Sequence, residues 1–184
     1  MVNSFKSKFI VCEFIETYPD VIGMLFAHRG RGLAYKLLGK YGDAQKDFAD
    51  VIKMIDEKGE IMEVQPLKAQ CTINWAEVSL ELEQYDEAIA SLDKMLKENR
   101  ALESDPKLAD QGLLTKAKVL GAKAAKSKTT SPTGATALYQ QAIAVLRGII
   151  QKESPSAYEA RTLMAKFVAE AGQEKPDPDS LLPK

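Results

Sequence analysis

The side chains best suited to chemistry are few in this sequence, which contains one histidine and two cysteines. Cys12 and His28 could act as a nucleophile and its base, but such a pair needs a cleft and a third, orienting group. Nothing in the sequence brings these two residues together. A zinc site is not supported either, because there is no second histidine and no Cys-x-x-Cys motif. We therefore predict a non-catalytic protein without metal or cofactor, in which Cys12 and Cys71 are small buried residues.

Three aspartates recur at helical spacing, at positions 43, 47 and 50. Side chains three or four residues apart share one face of a helix, so this set could bind a cation weakly. The same pattern is typical of a solvated helix face, which is the interpretation we adopt, also for Glu60 and Glu63. His28 is expected to pack between helices.

The segment 27–48 contains four glycines and raises the question of a phosphate-binding loop. Such a loop follows a strand and carries a GxGxxG or GxxxxGK[S/T] motif. Here Tyr35 stands where the third glycine after Gly30 and Gly32 would be, and no strand pattern precedes them. The sequence therefore predicts a helix that runs through both glycines and ends at Gly39. The helix must offset a cost of about 1 kcal/mol at Gly30.

Charge and hydropathy exclude two broad classes of partner. The net charge is −1, so no bulk electrostatic signal indicates nucleic acid or an anionic membrane. No stretch reaches the ~18 apolar residues of a membrane span, so we expect no membrane insertion. One segment is rich in lysine, and a solvated face is its simplest interpretation. Recognition of an acidic partner stays open there, whereas interleaved aromatic residues that would favour nucleic acid are missing. These lysines are Lys107, Lys116, Lys118, Lys123, Lys126 and Lys128.

The N-terminal segment does not read as a secretory signal, because Glu13 interrupts a short apolar run and no small-residue cleavage site follows. Two cysteines that form no disulfide framework are compatible with a reducing compartment. We expect a cytoplasmic protein, with a removed leader and a periplasmic location left open.

Helical spacing of apolar residues runs through the whole chain, and no alternating strand pattern or hairpin signal occurs. The sequence predicts an all-α protein of about eight helices. Ser127 to Thr136 is expected to be a loop, and residues 173–184 a disordered tail. The predicted helices cover about 5–18, 20–38, 41–57, 66–83, 86–100, 106–126, 135–152 and 155–172.

Two segments of equal length, 27–56 and 71–100, align without a gap, and each reads as helix, tight turn and helix. A weaker third copy includes 139–149, with Ala117 or Gly121 at its small position. The matched residues of the first two copies are Gly32 with Ala76, Leu38 with Leu82, Tyr41 with Tyr85, Ala44 with Ala88, Phe48 with Leu92, and Ile52 with Leu96. The third copy supplies Tyr139, Ala142, Leu146 and Ile149.

This pattern resembles the tetratricopeptide repeat (TPR) family. The resemblance implies an α-solenoid of antiparallel helix pairs, with about three repeats plus flanking helices, in one domain over 1–172. It also implies that Gly32 lies where the two helices of a pair approach closely. The copies are spaced more widely than the family's period of about 34 residues, so helices or linkers must be lengthened between them.

The resemblance further implies that the first helices of the pairs line a concave groove that binds a peptide segment or a partner helix. We therefore expect an adaptor, scaffold or chaperone-like interaction module. The alternative is a structural subunit that self-associates or is occupied by its own tail. A clamp for terminal carboxylates, known in one subgroup, is not expected, since Leu33 and Glu77 stand where it has asparagines. The predicted groove residues are Arg29, Leu33, Lys36, Leu37, Gln70, Ile73, Glu77, Leu80, Leu114 and Lys118, with Glu81 and Gln111 beside them.

Overall fold

A computed structural model describes residues 21–58, 64–99, 101–152 and 154–172. These residues form eight α-helices and no strand, so the all-α prediction is confirmed. The helix predicted over about 5–18 and the tail 173–184 lie outside the described residues. The chain divides into two compact units, residues 1–82 and 83–184. The single domain predicted over 1–172 stays a prediction.

The described residues of the N-terminal unit form three helices: α1 (Val21–Leu37), α2 (Tyr41–Lys58) and α3 (Gln65–Glu81). Helix α2 packs against α1 and against α3, and α1 also touches α3. Phe48 is fully buried at the centre of this unit. The core packed around it consists of Leu25, Ala44, Val51, Ile55, Leu67, Cys71 and Val78.

Gly32 of α1 lies directly against the ring of Phe48 in α2. A Cβ atom added to Gly32 would lie 2.9 Å from Cε1 of Phe48, which is inside van der Waals contact. Among the described residues, nothing lies within 4 Å of a Cβ atom added to Gly30. Helix α1 runs through both glycines, which confirms the prediction, and its close contact with α2 is at Gly32.

In the part of the C-terminal unit that the structure describes there are five helices, among them the short α5, which the sequence did not predict. Helix α6 packs against α4 and α7, and α8 packs against α7 and more lightly against α6. The five helices are α4 (Tyr85–Glu98), α5 (Ala101–Ser104), α6 (Pro106–Ser127), α7 (Pro132–Gln151) and α8 (Ala157–Glu170).

The predicted loop at 127–136 is wrong in its second half, because α7 begins at Pro132. Proline is favoured in the first turn of a helix, where its missing N–H is not needed. The same arrangement was recognised correctly at α6, where the side chain of Asp105 accepts a hydrogen bond from the amide of Leu108 at 3.0 Å. At α7 the pair Ser131-Pro132, which indicates a helix start, outweighed Gly134, which indicates a loop.

Equivalent positions of the three aligned copies have the same environment. Ala44, Ala88 and Ala142 are fully buried, and so are the larger residues four positions later, Phe48, Leu92 and Leu146. The turns also match, since Gly39 and its counterpart Glu83 both have a left-handed backbone, with φ of 70° and 61°. The internal repeat is thus structural as well as sequential.

Candidate functional site

Helices α1 and α3, the first helices of two successive repeats, present one shared polar surface. Nζ of Lys36 donates a hydrogen bond to Oδ1 of Asn74 at 3.1 Å and forms an ion pair with Glu77. The side chain of Asn74 in turn donates to the carbonyl of Gln70 at 2.8 Å. We call this surface the α1–α3 face, and it consists of Arg29, Leu33, Lys36, Leu37, Gln70, Asn74 and Glu77.

Arg29 lies at the other end of this face and differs from Lys36 in having no ionic partner among the described residues. Its Nε atom is buried and meets no hydrogen-bond acceptor among the residues that the structure describes. Burial raises the pKa of the Cys71 thiol to about 12, and the nearby charge of Arg29 opposes that rise. Arg29 therefore lies beside α3, and the thiol near it is neutral at physiological pH.

The apolar residues predicted to line the groove differ in how far they can reach a partner. Leu37 is 88% exposed at the end of α1. Leu33 is half-buried against the core, and Leu80 is also half-buried. Ile73 is only 6% exposed, so it supports the fold and offers little surface to a partner.

The residues predicted from the third repeat belong to the C-terminal unit. Leu114 is buried in the core of that unit, so it has no free surface to offer. Lys118 is half-buried, and its Nζ lies 2.7 Å from Oε1 of Glu159 on α8. Neither residue therefore presents a free contact group, because a core position and an ion pair already engage them.

A buried ionic cluster between α1 and α2 was missed by the sequence reasoning. Arg31 donates two hydrogen bonds to Asp47, from Nε to Oδ2 at 2.8 Å and from Nη2 to Oδ1 at 2.6 Å. Nδ1 of His28 lies 3.2 Å from Oδ1 of Asp47, which confirms that His28 packs between helices. Asp47 is 2% exposed, so its assignment to a solvated face was wrong. The available signal was its spacing, three residues after Ala44 and four before Val51, which places it on the same face of the helix as these core residues.

This cluster also includes the one group of side chains, within the described ranges, that could hold a metal ion. Ligand atoms of His28, Asp47 and Asp50 lie within 4.8 Å of one another. Both oxygens of Asp47 already accept hydrogen bonds from Arg31, and a cation would have to displace that guanidinium. The arrangement is that of a charge-balanced structural contact between two helices.

The lysine-rich helix α6 is largely neutralised by acidic groups of its own unit. Lys116, Lys123 and Lys126 form ion pairs with Asp93, Asp86 and Glu83, respectively. Further along the chain, Nζ of Lys128 donates to the carbonyl of Glu170 at 3.0 Å. The ion pairs of Lys116 and Lys123 join α6 to α4, and that of Lys118 with Glu159 joins α6 to α8.

None of the described helices is long and apolar enough to cross a membrane. No protein-family model matches the chain, and no curated protein matches its sequence.

Proposed function

We propose that this protein is a non-catalytic interaction module, an adaptor or scaffold, that holds a segment or helix of a partner protein on the α1–α3 face. The observation that carries the proposal is the contact of Lys36 with Asn74 and Glu77. Lys36 and Glu77 were predicted as groove residues of two different repeats, and this contact joins them into one surface. A surface built by two repeats is extended enough to follow a peptide chain.

The composition of the α1–α3 face suits a protein ligand. It combines an exposed leucine, Leu37, with the polar groups of Lys36 and Glu77 and the guanidinium of Arg29. Interfaces of this kind place apolar anchors beside a few oriented polar groups, which fix the register of the partner. We further propose that the module acts in the cytoplasm, in line with its two cysteines and the lack of a disulfide framework.

The proposal is tested by comparing two adjacent leucines at the end of α1. Leu37 belongs to the predicted groove, whereas Leu38, which is 41% exposed, does not. The wild type, Leu37→Asp and Leu38→Asp are immobilised, and proteins retained from native extract are quantified by mass spectrometry. Since burial of a leucine contributes about 1.5–3 kcal/mol, we expect Leu37→Asp to reduce partner recovery at least about tenfold.

The control variant Leu38→Asp should retain the partner at the level of the wild type. Circular dichroism of both variants verifies that the helices remain folded. Equal recovery by all three proteins, or no specific partner of the wild type, would argue against a binding role for this face.

A further inference from the structure

The exposed apolar side chains of the described residues are concentrated on one helix. Seven large apolar side chains are exposed in the part of the chain that the structure describes, and five of them belong to α1 or to the turn that follows it. Single exposed leucines are ordinary, but a group of this kind marks an interaction surface. The five residues are Val21, Ile22, Phe26, Leu37 and Leu38.

Four apolar residues follow one face of α1 from its first turn to its last, and we call them the α1 stripe. They are Ile22, Phe26, Leu33 and Leu37, and steps of four, seven and four residues keep them within about 60° of the helix circumference. Ile22 and Phe26 are each 57% exposed, and Leu33 is half-buried against the core. At Gly30, near the middle of the stripe, no described atom lies within 4 Å of an added Cβ atom. The described residues therefore leave this side of α1 open.

The α1 stripe has the same spacing when it is read from either end, so it is complementary to itself. Two α1 helices can lie antiparallel about a two-fold axis between positions 29 and 30. Ile22 then faces Leu37 of the second copy, and Phe26 faces Leu33 of the second copy. Arg29 faces Gly30 of the second copy, which places a long side chain opposite a residue that has none. An unrelated partner would need a matching stripe of its own, whereas a second copy of this chain already carries one.

We infer that two copies of the protein pair antiparallel through their α1 stripes and form a symmetric dimer. Interfaces of this symmetry use the same patch on both subunits, which is the property that the spacing supplies. The two Arg29 guanidinium groups lie near the axis and repel each other, so apolar contacts hold the dimer against this repulsion.

The dimer goes beyond the proposed function and does not depend on it. Leu37 belongs to both the α1 stripe and the α1–α3 face, so a second copy and the partner protein compete for it.

The first test measures the oligomeric state of the purified full chain by sedimentation velocity over a range of concentrations. We expect the wild type to pass from monomer to dimer as its concentration rises. Phe26→Asp introduces a charge into the stripe and should weaken the dimer at least about tenfold. Arg29→Gln removes the repulsion at the axis and should strengthen it. The control Tyr158→Asp alters an 81% exposed side chain of the C-terminal unit and should leave the dissociation constant unchanged. Circular dichroism verifies that the variants are folded.

The second test determines the direction of pairing by disulfide formation. Ile22→Cys and Leu37→Cys are prepared separately in a Cys12→Ser background, in which the remaining native thiol, Cys71, is buried. Residues that face each other across the axis come within the ~7 Å between Cα atoms that a disulfide requires. Two copies of position 22 are separated by about 22 Å along the helices, and so are two copies of position 37. Oxidation should therefore give a covalent dimer in a mixture of the two variants and in neither variant alone.

A wild type that remains monomeric at every concentration would overturn the inference, since the stripe would then be covered by another segment of the chain or by a different protein. Retention of the dimer in Phe26→Asp, or a weaker dimer in Arg29→Gln, would also overturn it. The same holds for a disulfide-linked dimer of either cysteine variant alone and for no linkage in the mixture. None of these measurements involves a partner protein, so each of these results would leave the proposed function standing.

Discussion

Replacing Gly32 with alanine is expected to destabilise the N-terminal unit, whereas the same change at Gly30 is expected to stabilise it. Both glycines lie inside α1, so alanine improves helix propensity by about 1 kcal/mol at either position. At Gly30 nothing lies within 4 Å of the added Cβ atom, and this gain is realised. At Gly32 the new atom would lie 2.9 Å from Cε1 and 3.1 Å from Cδ1 and Cζ of Phe48.

The ring of Phe48 has little freedom to yield, because it is fully buried in the core of the unit. Inserting an extra carbon into a well-packed core costs about 1–3 kcal/mol. The gain in helix propensity offsets about 1 kcal/mol of this packing cost. Gly32→Ala should therefore lower the free energy of unfolding by up to about 2 kcal/mol. The two alanine variants should differ by about 1–3 kcal/mol.

Urea unfolding followed by circular dichroism at 222 nm measures this difference, provided that the slope of the transition is unchanged. A double variant, Gly32→Ala with Phe48→Leu, copies the pair Ala76 and Leu92 of the second repeat. It should be more stable than the sum of the two single changes predicts, because leucine leaves room for the added carbon. Equal effects of alanine at Gly30 and Gly32, or strictly additive effects in the double variant, would refute the close contact between α1 and α2.

Asp47→Ala should lower the free energy of unfolding by about 2–3 kcal/mol, since it leaves the guanidinium of Arg31 without its buried partner. Asp43→Ala, at an exposed position of the same helix, should change it by less than about 0.5 kcal/mol in the same denaturation assay. Cys71 should resist iodoacetamide at pH 8 until denaturant is added, because burial raises the pKa of its thiol to about 12. Peptide mapping of the alkylated chain measures this, and rapid labelling of Cys71 in the native protein would contradict it. Burial also raises the pKa of Tyr139 to about 12, above its value of about 10 in an unfolded chain. Stability should therefore be complete below about pH 10 and fall as the pH rises toward 12, and Tyr139→Phe should flatten this slope in denaturation curves recorded across that range.

The sequence predicted most helices to within a few residues because their signals are local. The predicted helix 41–57 corresponds to α2, and 106–126 corresponds to α6. Gly39, predicted to end the first helix, has the left-handed φ of 70° that glycine adopts most easily. The error at α7 was also local, since Pro132 outweighed the turn-forming residues around it.

The sequence could not predict which charged side chains pair with one another. The interaction between Lys36 and Glu77 spans 41 positions, and that between Arg31 and Asp47 spans 16. A periodic pattern gives the face of a helix on which a residue lies, but not which distant residue meets it. The groove prediction could therefore include Leu114, which the structure places in a core, and could miss Asn74.

What the sequence determined by itself is the class of the fold and the internal repeat, because the spacing of apolar residues, prolines and glycines acts within a few turns of helix. The tertiary structure alone decided which charges are balanced. It pairs Lys36 with Glu77 and buries Asp47 against Arg31. The physical reason is that charge pairing depends on how helices distant in sequence approach one another, and burial makes an unpaired group costly only once they are packed.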